Sequence, residues 1–396
     1  IRSFGWAHDD RHLLYVQDTG GDENWRLYDV DLDTMQRRDL TPFDGVQARI
    51  VAADRKFPHE ILVGLNRADP RLHDVYRLDL ITGELTLEVP NPGLIGWVAD
   101  ARLVVRAAIK PQPDGGYILQ VRDDGQAEWR PLLTISGDDA PGTQLIGFSE
   151  DGITLLATTS AGADTARLVR IGVATGAIEV LAEDPEADVA GVRVQPDTRQ
   201  PQIVMFGKDR LDYLALDPAV AADLTAIRAL HPGDPSFHGA DHADATWLIG
   251  FTNDTGPVSF YAYDRATRTG RFLFEHQPEL SRYQLAPMEP FRFTARDGLV
   301  IPGYLTFPPG AGRRGLPTVL YVHGGPQARD GWGFNGRAQW LANRGYLCVQ
   351  VNYRGSTGYG KAFVNAGDRE WGGKMHDDLV DAVAFVTGRG WADPAR

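Results

Sequence analysis

The chain has 396 residues, 43% of them apolar and 23% charged, with a formal net charge of −13. This is a globular composition in a chain longer than one hydrophobic core usually fills, and its acidic balance argues against a nucleic-acid binder, which needs a basic footprint to release counterions. The single cysteine, Cys348, excludes an intrachain disulfide and a cysteine-based zinc site, and no apolar run reaches the ~20 residues of a membrane span.

From Ile1 to about residue 284 the chain reads as short β-type runs divided by turn clusters, with no long amphipathic helix expected. A motif recurs: an apolar-x-apolar triplet, usually followed by Asp and a turn. It appears as Tyr28-Asp29-Val30-Asp31, Tyr76-Arg77-Leu78-Asp79, Leu119-Gln120-Val121, Val169-Arg170-Ile171, Leu214-Ala215-Leu216-Asp217 and Tyr261-Ala262-Tyr263-Asp264, at spacings of 48, 43, 50, 45 and 47 residues. A strand-rich repeat of that length matches a four-stranded propeller blade, which must stack on its neighbours to bury both faces. About six blades are visible. Trp97, Trp129 and Trp247 read as blade core, and Arg106 and Lys110 as surface charge at strand ends. Asp22-Glu23-Asn24 follows Gly20-Gly21 in a loop between strands. This part carries a net charge of −17, whereas residues 285–396 carry +4; an acidic body keeps a protein soluble and attracts cationic groups such as a peptide amino terminus.

After residue 285 the pattern becomes α/β. Strands are expected at 291–294 and 300–307, joined through Asp297-Gly298, then at 318–322 and 346–351, the last two as continuous apolar runs of the parallel-sheet kind. Helices are expected over 336–343 and 375–387, where Leu379, Val383 and Val386 keep helical spacing. The 318–322 strand ends in His323-Gly324-Gly325-Pro326. Glycine turns at such a place let backbone N–H groups approach an oxygen that becomes negative in acyl transfer, the role of an oxyanion hole.

These motifs, with Asn352-Tyr353-Arg354-Gly355-Ser356-Thr357-Gly358-Tyr359-Gly360, Trp371-Gly372-Gly373-Lys374-Met375-His376-Asp377-Asp378 and Gly390-Trp391-Ala392-Asp393-Pro394, resemble the first half of the catalytic domain in the prolyl oligopeptidase family of serine peptidases. The likeness is to its acylaminoacyl-peptidase and dipeptidyl-peptidase branches. It implies a β-propeller, seven-bladed in the family, over 1–284, and over 285–396 the N-terminal part of an α/β-hydrolase domain. It also implies hydrolysis of short peptides through an acyl-enzyme, with the propeller gating access, and an oxyanion loop at His323, Gly324 and Gly325. Asp22 and Glu23 become candidates for holding a substrate amino terminus.

The family's Gly-x-Ser-x-Gly nucleophile elbow is absent: no serine here has glycine at both −2 and +2, and Ser160 has it at +2 only. Ser356 reads as part of a strand-end turn. His376, beside Asp377 and Asp378, reads as a solvated or capping cluster at the start of the last helix. The sequence is therefore expected to be an internal part of a longer enzyme, with the nucleophilic Ser, the Asp and the His beyond Arg396, and to be inactive alone. A non-catalytic propeller scaffold and a carboxylesterase are the alternatives. No cofactor or metal, no nucleic acid and no membrane are expected; homo-oligomerisation is left open. The expected location is the cytoplasm, or the periplasm if a signal segment precedes Ile1.

Overall fold

The computed structural model describes residues 1–396. Six small antiparallel sheets follow one another up to Glu275: five with four strands, and one with three, at Val189–Val194, Pro201–Gly207 and Leu211–Ala215. Every copy of the repeat falls in the third strand of its sheet, from Arg26–Asp31 in the first to Ser259–Asp264 in the sixth. The recurring aspartate has a local task. Asp31 Oδ1 accepts from the N–H groups of Asp33 and Thr34, Asp79 Oδ1 from Ile81 and Thr82, and Asp264 Oδ1 from Thr267. Each carboxylate thus closes an Asx turn that starts the next hairpin.

Alternation along Arg26–Asp31 places Leu27 and Asp29 on the buried face, and Asp29 is fully enclosed, 2.5 Å from Arg38 Nη2. The structure corrects two expectations. Arg106 is buried rather than a surface charge: its guanidinium donates to Gly152 O and Arg122 O and stands beside Asp100. A helix, α1 (Pro218–Leu230), lies where none was expected. The remaining motif aspartate, Asp217, is its N-cap, accepting from Ala219 N at 2.9 Å, and Pro218 opens the first turn. Its Val220, Leu224 and Ile227 pack in one core with Trp247, Phe251 and Tyr263.

Chain contacts divide into two compact units, one of 1–161 with 169–181 and one of 162–168 with 182–396. Within the second unit, the last sheet orders its strands as Met288–Thr294, Val300–Thr306, Leu347–Val351 and Thr318–Tyr321. The first two form the Asp297-Gly298 hairpin, Leu347–Val351 runs antiparallel to Val300–Thr306, and Thr318–Tyr321 runs parallel to Leu347–Val351. Helices α2 (Gly336–Asn343), α3 (Lys361–Asn365) and α4 (Lys374–Gly388) follow. One face of the sheet buries Ile301, Leu305, Leu347, Val349 and Val351 with Met375, Ala382 and Val386 of α4. The burial of α4 is what its helical apolar spacing required. No helix is long and apolar enough to cross a membrane.

Candidate oxyanion loop

Two parallel strands, Thr318–Tyr321 and Leu347–Val351, pair in the register Thr318↔Leu347 to Tyr321↔Gln350. Their carboxyl ends therefore deliver His323–Pro326 and Asn352–Ser356 side by side, the place where open α/β sheets hold ligands. The Tyr353 ring stacks on the His323 imidazole, with centroids 4.7 Å apart and planes 15° apart, and its hydroxyl donates to His323 O at 3.2 Å. His323 Nε2 lies 3.0 Å from Ser356 Oγ, and Nδ1 lies 2.9 Å from Gly324 O. Ser356 is fully buried, and its hydroxyl donates to Tyr353 O at 2.6 Å. That serine thus belongs to the turn, as its sequence position suggested, and the histidine ring is fixed on both nitrogens.

The following segment is anchored from below. Asn352 Oδ1 accepts from Asp330 N at 2.7 Å, and Asn352 Nδ2 donates to Asp330 O at 3.0 Å. Thr357 N donates to Ala328 O. The Arg329 guanidinium donates to Gly207 O, Lys208 O and Tyr359 OH. Gly325 has φ +139, a conformation that disfavours side chains, and a Cβ there would stand 2.8 Å from Gln327 N. Gly325-Pro326 is a cis peptide. In this scaffold the Gly324 and Gly325 N–H groups, both on exposed residues, donate to no hydrogen bond within the chain. Loop amides so held and unused are available to donate to a developing negative charge.

Other titratable groups nearby are not candidates for the chemistry. Cys348 is buried and its thiol is pushed up to about 12 by burial and by Asp330, which leaves it inert as a nucleophile. Burial also raises the Asp330 carboxyl above its ordinary range. His376 is exposed in the first turn of α4. Its neighbour Asp378 corrects the expectation of a solvated cluster: it is fully buried and receives Arg354 through Nε at 2.9 Å and Nη2 at 2.7 Å. Arg354 Nη1 reaches Asp297 at 2.7 Å, so one buried guanidinium joins the loop after Leu347–Val351 to the hairpin turn and to α4. No group of three or more His, Cys, Asp or Glu is placed to hold a metal ion.

Asp22 and Glu23 lie in the first unit, the glycine loop in the second. Asp22 is committed to its own turn: Oδ1 accepts from Thr19 N and Asn24 N, and Oδ2 from Asn24 Nδ2. These bonds lower its carboxyl below the ordinary range. Glu23, at φ +58, donates its N–H to Asp18 Oδ2 and keeps its carboxylate unbonded. Sequence reasoning did not assign the Tyr353 stack, the Ser356 contact or the Arg354–Asp378 pair. Their signal was the run Asn352–Ser356 directly after a strand that pairs in parallel with the one feeding the loop.

Residues 332–396 match the model of the prolyl oligopeptidase family. The chain is 41% identical over 398 residues to dipeptidyl aminopeptidase BIII of Pseudoxanthomonas mexicana, covering 98% of this chain and 58% of that protein. It is 30% identical over 430 residues to dipeptidyl peptidase family member 6 of Caenorhabditis elegans, covering 99% of this chain and 58% of that protein. It therefore spans somewhat more than half the length of these relatives. Among solved structures it is similar to a puromycin-hydrolyzing peptidase of Mycobacterium tuberculosis (TM-score 0.73, 18% identity, 98% of this chain and 64% of that one). It is also similar to the acylaminoacyl peptidase of Pyrococcus horikoshii (TM-score 0.64, 15% identity, 97% and 63%). The fold is the expected one, a β-propeller of which six blades are present, followed by the N-terminal part of an α/β-hydrolase domain.

Proposed function

We propose that this chain, whose residues 332–396 match the model of the prolyl oligopeptidase family, is a member of that family and forms the propeller and oxyanion loop of a serine peptidase that releases dipeptides from short peptides. Dipeptide release is favoured because both relatives aligned along the whole chain are named for it. The propeller spans 1–284 and restricts entry to small or unfolded peptides, and the hydrolase part begins at 285.

The observation that carries the proposal is the pair of unused glycine amides at the end of a parallel strand, on a loop held by Tyr353, Ser356 and Asn352. In the reaction a serine oxygen adds to the scissile carbonyl carbon while its proton passes to a histidine, and the carbonyl π electrons move onto oxygen. A Gly324 or Gly325 N–H then donates to that oxygen at about 2.7–3.1 Å. The tetrahedral species collapses, the C–N bond breaks, and the histidine returns the proton to the leaving amine. No Gly-x-Ser-x-Gly occurs within residues 1–396, so this reading requires the nucleophilic Ser, with its His and orienting Asp, to be supplied from elsewhere in the enzyme.

The experiment is to treat folded full-length protein with a fluorophosphonate probe and to assay peptides carrying an N-terminal dipeptide reporter. Covalent labelling together with dipeptide release is expected. Labelling without dipeptide release would reject the specificity, and no labelling of folded protein would reject serine catalysis.

A further inference from the structure

A cavity of about 300 Å³ opens in the first unit, between the second and third sheets, and no residue of the glycine loop lines it. The strand Ala48–Ala53 supplies Arg49 and Ile50, Leu72–Asp79 supplies His73, and Ile95–Ala99 supplies Ile95 and Trp97. Arg71, from the turn between the neighbouring strands, also lines it. That volume is at the lower end of small-ligand sites.

The polar groups on this wall are unevenly committed. The Asp69 carboxylate takes up Arg71. Arg49 has no carboxylate: its Nε and Nη2 both donate to the neutral Gln47 Oε1, at 3.2 and 2.7 Å. His73 Nε2 is buried with no hydrogen-bond partner, an unusual state for a ring nitrogen. Burial, and then the charge of Arg49, hold His73 below its ordinary range, so the imidazole is neutral near pH 7 and adds no charge of its own. The wall is fixed, because the His73 carbonyl accepts from Trp97 Nε1 at 3.2 Å and from Asn91 Nδ2 at 3.0 Å. The same cavity is lined by exposed apolar side chains, Ile50 at 44% and Ile95 at 50% exposure, and by the Trp97 indole. A guanidinium without a carboxylate, in a cavity of mixed polar and apolar lining that includes the Trp97 indole and two isoleucines, is complementary to a molecule with an apolar body and one carboxylate.

We propose that this cavity binds small organic carboxylates with an apolar side chain, such as an acylated hydrophobic amino acid or the carboxyl end of a short peptide, with Arg49 receiving the carboxylate and Trp97 and Ile95 the apolar group. The proposal is independent of the peptidase reading, since no residue of the cavity belongs to the glycine loop.

The test is calorimetric titration of full-length protein with N-acetylphenylalanine, N-acetylphenylalanine amide and an acetylated hexapeptide ending in phenylalanine. The acid should bind at least ten times more tightly than the amide. Arg49→Met should remove that preference while leaving the melting temperature and peptidase activity unchanged, because Arg49 is exposed and remote in sequence from the loop. A hexapeptide binding as well as the free acid identifies a peptide carboxyl end as the ligand; a hexapeptide that fails identifies a free small acid. Equal binding of acid and amide, unaltered preference in Arg49→Met, or no heat up to about 10 mM acid would overturn the proposal.

Discussion

At the scale of single residues, the proposed chemistry rests on two glycines, and the packing of the segment beside them on one arginine. Gly325→Ala places a methyl group 2.8 Å from Gln327 N in a backbone conformation that disfavours it, which costs about 1–3 kcal/mol locally or moves the loop. In the full-length enzyme kcat should drop about 10²–10³-fold with KM nearly unchanged, the signature of a lost oxyanion donor; a larger effect on KM than on kcat would place the loop in substrate binding instead. Arg354 is enclosed between Asp378 and Asp297. Asp378→Ala leaves its charge buried with one partner fewer and should destabilise by about 3–5 kcal/mol in denaturant unfolding. The same cluster sets an acid response. The Arg354 bond lowers the Asp297 carboxyl to about 2, while an unfolded aspartate titrates near ~3.9. A depressed folded value stabilises above the unfolded value, so this contribution is intact above about pH 4 and is lost as pH falls toward about 2. Asp297→Asn should flatten that part of the stability–pH curve, and an unchanged slope would show that other carboxylates carry it.

At the scale of elements, one short motif serves two structural ends. The aspartate that closes four of the six repeats has its carboxylate two or three residues ahead of an N–H that it accepts from. After Asp31, Asp79 and Asp264 the chain turns back as a strand. After Asp217 comes Pro218, whose fixed φ suits a first helical turn, and α1 begins. Asp217→Ala should therefore weaken α1 by about 1 kcal/mol, a typical N-cap loss; hydrogen exchange in Val220–Ile227 should accelerate ahead of the rest of the chain, and uniform exchange would contradict a local cap. The strand Thr318–Tyr321 shows how an element can be shaped by what lies beside it. It pairs on one side only and stays half-buried throughout its length, despite an apolar sequence suited to a sheet interior. Residues near Arg396 begin to run beside it, through Thr318 N to Arg396 O and the parallel bridge Leu316↔Ala392. Apolar edge strands of this kind recruit further backbone.

At the scale of the whole molecule, charge is distributed by segment, with −17 over residues 1–284 and +4 over the remainder. A field of that sign draws cationic groups toward the protein and is screened over about 10 Å at 0.1 M salt. For the full-length enzyme, kcat/KM for peptides with a free amino terminus should fall several-fold as salt rises from about 50 to about 500 mM. N-acylated analogues should change little. The same salt response for both would mean that the acidic segment serves solubility alone.

The sequence by itself determined the strand repeat, the turns after Asp31, Asp79 and Asp264, helices α2 and α4, and the glycine loop after Thr318–Tyr321. Each is encoded within a few neighbouring residues, through alternation, Asx turns, helical spacing and the backbone freedom of glycine. Helix α1 was equally local, yet it was hidden by a strand motif that shares its capping residue. Only the tertiary structure decided that Asp29, Arg106 and Asp378 are interior, that the Ser356 hydroxyl is committed to Tyr353, and that the amides of Gly324 and Gly325 are unused. Those outcomes depend on partners far along the chain: Arg354 meets residues 24 and 57 positions away. A charged side chain is stable inside only when such a partner arrives, and no local pattern records that arrival.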